Sequence, residues 1–264
     1  MNRQMNHVRP ELGLHGLVTP KSVFQKSFLS AQCVEICEHL KGLIEATEKV
    51  VPPRKENFKL NENHGKPIPT LLESRLERAI WKAASQNRGL VRVGNIFIHS
   101  FQIPLNAHAK HLTPIHSNAG WRKFDLMGTD QEGVPVVFEL KGKANDPVHM
   151  IVEAAKYGVA IKKIWPDMLE EWRKVFKEKK IPIQKHPLTR CRLVCAAPQA
   201  FWEEWSTYKN QPRLWNNIAR LCKGLSERGL PVDFATFNYT DTDPTILPEI
   251  FGLKLISLPI QTKN

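Results

Sequence analysis

At 264 residues, 42% of them hydrophobic, the chain is long enough to bury a substantial core and too apolar for a disordered polymer. Its formal net charge of +12 points to a polyanionic partner. No apolar run approaches the roughly 20 residues of a membrane span and no secretory leader is evident, so a soluble, cytoplasmic protein without membrane attachment is expected.

Between residues 21 and 50, Phe24, Leu29, Cys33, Ile36, Leu40, Leu43 and Ile44 recur at helical spacing, and Pro52-Pro53 stops the pattern. Residues 1–51 therefore read as a helical extension that either packs on the core or serves as a surface for a second copy or a protein partner. Residues 52–69, rich in Asn, Lys and Pro, read as a linker, and residues 70–264 as the main domain. Thr70-Leu71-Leu72-Glu73 is a capping box opening a helix with apolar residues at Leu72, Leu76, Ile80 and Ala83. Glu73 and Glu77, one turn apart, reach the same side of that helix. Each also has an ordinary explanation: Glu73 closes on the N-cap amide, and Glu77 is a surface acid beside Arg78 and Lys82.

Strands are expected at 90–98, 122–128 and 134–142. His108, His111 and His116 precede the second of them and read first as a polar loop, then as contacts to phosphate or metal. Between the second and third strands, Asp130-Gln131-Glu132-Gly133 places Asp at the head of a type I turn and Gly where a left-handed residue must follow, a three-residue hairpin loop with a bulge. That loop sets a register in which Asp130 pairs with Val134, Gly128 with Val136, Leu126 with Phe138, and Asp125 falls opposite Glu139. Directly opposed side chains share a face, with Cβ atoms about 4.5–5.5 Å apart. Alternation adds Lys141 to that face and turns Phe124, Leu126, Phe138 and Leu140 to the other. Two carboxylates so close repel unless a cation sits between them, and hard cations such as Mg²⁺ take oxygen ligands at about 2.0–2.1 Å.

Asp125 in "KFDLMG" with Glu139 and Lys141 in "VVFELKGK" resembles the PD-(D/E)XK (restriction-endonuclease-like) nuclease superfamily over roughly residues 70–197. The resemblance implies an α/β fold, a mixed sheet flanked by helices with an α-β-β-β-α-β core, here preceded by the N-terminal helical extension. It implies a metal-dependent nuclease hydrolysing phosphodiester bonds. Mg²⁺, with Mn²⁺ as substitute, would be held by Asp125, Glu139 and the Leu140 carbonyl, and Lys141 would lend electrostatic assistance. Relatives often add an acid from the first helix; Glu73, at the helix head, is favoured slightly over Glu77. Some carry Gln-x-x-x-Tyr on the next helix, expected here at 147–163, where this chain has Glu153-Ala154-Ala155-Lys156-Tyr157. Glu153, Lys156 and Tyr157, with His149 on the same face, are then supporting residues.

Between Lys141 and Arg192 thirteen Lys or Arg face six Asp or Glu, a surplus of seven that begins at the proposed site. Such a segment suits salt-sensitive binding to a nucleic-acid backbone, DNA favoured, and a DNA endonuclease of a repair, restriction, defence or mobile-element system. The alternative is a non-catalytic nucleic-acid-binding or scaffold subunit. Cys33, Cys37, Cys191, Cys195 and Cys222 lack the paired spacing of a zinc site and read as apolar thiols. An alternating strand is expected at 191–195, helices around Trp202, Trp205 and Trp215, and sheet-extending strands at 232–238 and 253–258.

Overall fold

The computed structural model describes residues 10–14, 26–51, 67–86, 96–105, 123–142, 146–179, 183–184, 187–207 and 211–257. His108, His111 and His116, most of the expected linker, the opening of the strand expected at 90–98 and most side chains of the basic stretch from 171 to 185 lie outside them. The chain is a mixed α/β protein. Helix α1 spans Lys26–Val50, α2 Leu72–Gln86, α3 Pro147–Lys179, α4 Gln199–Ser206 and α5 Gln211–Ser226. Strands β1 (Ile96–Pro104), β2 (Lys123–Asp130), β3 (Pro135–Leu140), β4 (Arg192–Pro198), β5 (Val232–Thr240) and β6 (Glu249–Ile256) form one sheet in chain order. β1, β2 and β3 are a meander; β4 then joins β3, and β5 joins β4, in parallel, and β6 closes antiparallel. Parallel pairing requires a crossover, which α3 supplies before β4 and α4 with α5 before β5.

The sheet divides the core in two. On one face α2 lays Leu76, Ile80 and Ala84, every fourth residue, against Ile98, Phe101, Leu126, Val136, Phe138 and Leu140. On the other a larger cluster joins Met127, Val137, Leu193 and Cys195 to α3, α4, α5 and α1. Helix α1 contributes Cys33, Ile36, Leu40 and Leu43 to this core and packs on α3 and α5. Gly158 lets α3 approach the sheet closely: a Cβ there would stand 2.6 Å from a methyl of Leu193. All five cysteines are free thiols, with Cys33, Cys191 and Cys195 buried.

The hairpin turn is built as its residues dictate. Gly133 N donates to Asp130 O and Asp130 N to Val134 O, each at 3.0 Å. The Asp130 carboxylate accepts from the amides of Glu132 at 3.0 Å and Val134 at 2.9 Å. Gly133 has φ +80°, and a Cβ on it would lie 2.6 Å from the Gln184 amide. The pairs Gly128↔Val136 and Leu126↔Phe138 follow.

Several boundaries differ from expectation. β1 is centred later than the 90–98 strand and carries a bulge between Ile98 and Ser100, which breaks the alternation that would have marked its second half. α2 opens at Leu72, one residue later than a Thr70 cap implies, with Arg75 N bonding Leu71 O at 3.1 Å. α3 runs past 163 and through Pro166. The lost backbone bond is outweighed there by the burial of Trp165 and Met168 and by Trp165 Nε1 donating to Gln184 O at 3.0 Å. No described helix is long and apolar enough to cross a membrane.

Candidate active site

The sheet forks at the end of the hairpin remote from its turn. The β2–β3 ladder runs from Thr129↔Pro135 to Leu126↔Phe138 and stops, one pair short of the expected Asp125 opposite Glu139. β2 remains paired with β1 as far as Pro104↔Lys123, while β3 remains with β4 through Leu140↔Ala196 and Lys141 N bonded to Ala196 O at 3.1 Å. Into the gap turns the Asp125 carboxylate, whose Oδ2 accepts from Leu140 N at 2.6 Å. An extended residue presents amide and carbonyl to the same edge, so the Leu140 carbonyl opens on this gap too. The fork also explains one departure from the expected back face. Leu126, Phe138 and Leu140 lie under α2, but Phe124 and its partner Ile103 join the cluster under α3, where Phe124 packs on Tyr157 at 5.9 Å between ring centroids.

Side chains reach the fork from three directions. Glu139 and Lys141 follow Val137 onto the α3 face of β3, 3% and 7% exposed. Lys141 Nζ lies 2.5 Å from Glu139 Oε1 and 2.6 Å from Glu153 Oε2 of α3. Glu153 Oε2 is also 3.2 Å from His149 Nε2, one turn earlier. Lys156 is buried with its Nζ 4.4 Å from the centre of the Tyr157 ring, and Tyr157 OH donates to Lys123 O at 3.1 Å, fastening α3 to β2. From α2 come both acids. Glu73 is half-exposed at the mouth, 3.9 Å from Lys141 Nζ; Glu77 is buried, and its charge bears on Asp125 more strongly than that of Glu73 does. The structure thus brings Glu73, Glu77, Asp125, Glu139, Lys141, Glu153, Lys156 and Tyr157 into one neighbourhood.

Burial in this crowd of like charges sets the protonation. Burial and then the Glu77 charge push the Asp125 carboxyl well above its ordinary range, against the pull of Lys141 and the Leu140 amide. Burial and then Asp125 do the same to Glu139. Desolvation alone would lower the Lys141 ammonium, but Glu139 and Glu153 outweigh it and hold the pKa above that of a free lysine. For Glu153 desolvation is again the largest influence and acts upward, yet the His149 hydrogen bond and Lys141 together hold it below the usual carboxylate range. Burial lowers Lys156. Among the described residues, Glu139 Oε2 is buried with no hydrogen-bond partner.

That donor set suits a hard divalent cation. Mg²⁺ is bound through one or two carboxylates and keeps several waters. Asp125, Glu139 and the Leu140 carbonyl offer only oxygen, and a buried carboxylate oxygen lacking a donor is what a cation would satisfy. Among the described residues no group of three or more His, Cys, Asp or Glu is disposed to hold an ion.

Two contributors escaped the reading of the chain. Asp146 caps α3, its Oδ1 accepting from His149 N at 2.7 Å; the signal was present as Asp before Pro147 at the first helical position. His149, expected only to share a helical face, is joined to Lys141 through Glu153. No protein-family model matches the chain, and no curated protein or solved structure matches it either.

Proposed function

We propose that the chain is a metal-dependent nuclease of the PD-(D/E)XK type, hydrolysing phosphodiester bonds, DNA favoured, with Mg²⁺ or Mn²⁺. The order α2-β1-β2-β3-α3-β4, with two antiparallel pairings followed by a parallel one, supports that restriction-endonuclease-like core. The observation that carries the proposal is the fork: Asp125 and the acid-x-lysine pair Glu139 and Lys141 meet where β2 and β3 part, with Glu139 Oε2 buried and lacking a hydrogen-bond partner. Asp125, Glu139 and the Leu140 carbonyl would hold the ion, which when bound lowers the pKa of a coordinated water and offsets charge on phosphate oxygens. Lys141, kept protonated by its carboxylate neighbours, supplies positive charge toward the scissile group and is unsuited to act as general base. The net charge of +12 favours a polyanionic substrate despite the acidic fork.

The test is Mg²⁺-supported cleavage of plasmid, linear and single-stranded DNA, with Asp125→Ala and Lys141→Ala beside the wild type. Loss of cleavage in both supports the assignment; unchanged cleavage in both overturns it. A second reading, a non-catalytic nucleic-acid-binding or scaffold subunit, is favoured by one observation: Lys141 already neutralises Glu139 and Glu153, as a purely structural charge cluster would require. Under it, Mn²⁺ calorimetry gives no heat that depends on Asp125.

A further inference from the structure

Lys141 Nζ lies between two carboxylates, hydrogen-bonded to Glu139 Oε1 at 2.5 Å and ion-paired with Glu153 Oε2 at 2.6 Å. Only one of these partners belongs to the proposed ion site. The other stands on α3 and is steadied from behind by His149 at 3.2 Å. Counting Glu73, Glu77, Asp125, Glu139 and Glu153 against Lys141 and Lys156, carboxylates outnumber ammonium groups five to two around the fork. Lys141 Nζ is in direct contact with Glu139, so it carries a neutralising role that a divalent ion would take over there. Two positive charges cannot share Glu139 without repelling each other.

Resting on the metal reading above, we infer that Lys141 and the divalent cation compete for Glu139, and that Glu153, steadied by His149, is the second seat that takes the ammonium when the cation enters. Glu153 is thus a positioning residue. It keeps Lys141 near the reacting group while releasing Glu139 from it. A carboxylate at this helix position retains a displaced ammonium more firmly than an amide would.

The consequence has opposite signs at two residues that touch each other. Removing the lysine removes the competitor, so Lys141→Met and Lys141→Gln bind Mn²⁺ more tightly, by about tenfold or more, although neither cleaves. Removing the second seat leaves the ammonium on Glu139, so Glu153→Gln binds Mn²⁺ about tenfold more weakly. Loss of a nearby negative charge would also weaken binding, and a double-mutant cycle separates the two causes. If Glu153 acts through the lysine, Glu153→Gln changes Mn²⁺ affinity by less than about twofold in the Lys141→Gln background; a bare field effect is the same size in both backgrounds.

The experiment is calorimetric titration of the full chain with Mn²⁺ alone, no substrate present, for the wild type, Asp125→Asn, the single variants and the double variant. Thermal unfolding checks that each is folded. Lys141→Gln keeps a hydrogen-bond donor for Glu139 and is the variant relied on where Met leaves the buried carboxylate unsupported. Tighter binding without Lys141, weaker binding without Glu153, and loss of the Glu153 effect in the double variant sustain the inference. Unchanged or weaker binding in Lys141→Gln overturns it, as does an additive cycle, while binding abolished by Asp125→Asn leaves the metal site standing. Absence of any Asp125-dependent heat in the wild type overturns the metal reading itself.

Discussion

The hairpin of β2 and β3 has an aspartate at each end, and the two are used in opposite ways. Asp130, at the closed end, is saturated: its carboxylate accepts two backbone amides and has Arg192 at 3.5 Å. Asp125, at the open end, accepts one amide and lies in the field of Glu77, Glu139 and Glu73, with Lys141 opposing them. The same side chain five residues along one strand is supplied with donors in one place and surrounded by acids in the other. Donor saturation is what a turn needs to hold its shape. A deficit of positive charge is what a site needs to take a cation, so the contrast separates a residue fitted to hold a turn from one fitted to the proposed ion.

On the proposed nuclease reading, the largest expected effect is catalytic and confined to the open end. Asp125→Ala and Lys141→Ala lower the DNA cleavage rate by about 10³-fold, the size usual for loss of a group that stabilises transition-state charge. Asp130→Ala leaves the rate per folded molecule unchanged. Equal losses at Asp125 and Asp130, followed by gel assay in Mg²⁺, would mean that cleavage merely reports the integrity of the hairpin. The next effect belongs to the closed end and to stability. Gly133→Ala destabilises by roughly 2–3 kcal/mol, because a positive φ and a backbone collision at 2.6 Å coincide there. Asp130→Ala follows at about 1–2 kcal/mol, from two amides deprived of their acceptor. Urea denaturation measures both, and a smaller loss for Gly133 than for Asp130 would contradict the ordering.

The closed end was legible almost atom by atom, since a three-residue loop is governed by local backbone geometry and Asp130 and Gly133 carry that geometry in their own side chains. Register propagates from the turn, so the placing of Glu139 and Lys141 on one face was legible as well. Legibility failed where a contact from elsewhere in the chain decides. Phe124 changes sides because β2 stays with β1 after leaving β3, which no periodicity within β2 reveals. α3 passes through Pro166 because Trp165 and Met168 are buried on either side of it. Helix α2 is oriented by Arg75, buried and bonded to Asp241 at 2.5 Å and to the carbonyls of Asp243 and Ile246 at 2.8 Å, some 166 to 171 residues away. That anchoring sets how Glu73 and Glu77 meet the site, and helical spacing alone left the choice between them open.

The smallest expected effect tests the charge deficit without using cleavage at all. Asp125 has a carboxyl whose pKa is higher in the folded chain than in the unfolded one, chiefly through burial and Glu77. Between those two values the folded state binds more protons than the unfolded state. The contribution of such a group is complete below the unfolded value, about 3.9 for aspartate, and is lost as pH rises through the folded value. In a buffer free of divalent ions, therefore, Asp125→Asn, which still offers an oxygen to the Leu140 amide, melts a few degrees above the wild type near neutral pH, and the gap closes as the buffer is made acidic. Mn²⁺ at about 100 times its Kd adds roughly 2.7 kcal/mol to whatever binds it. That addition lifts the wild type past the variant and reverses their order. A scanning-fluorimetry series across pH, with and without Mn²⁺, reads both signs. A wild type that is the more stable of the two at neutral pH without metal would show that Asp125 is as well supplied with donors as Asp130, and the two ends of the hairpin would then differ in position only.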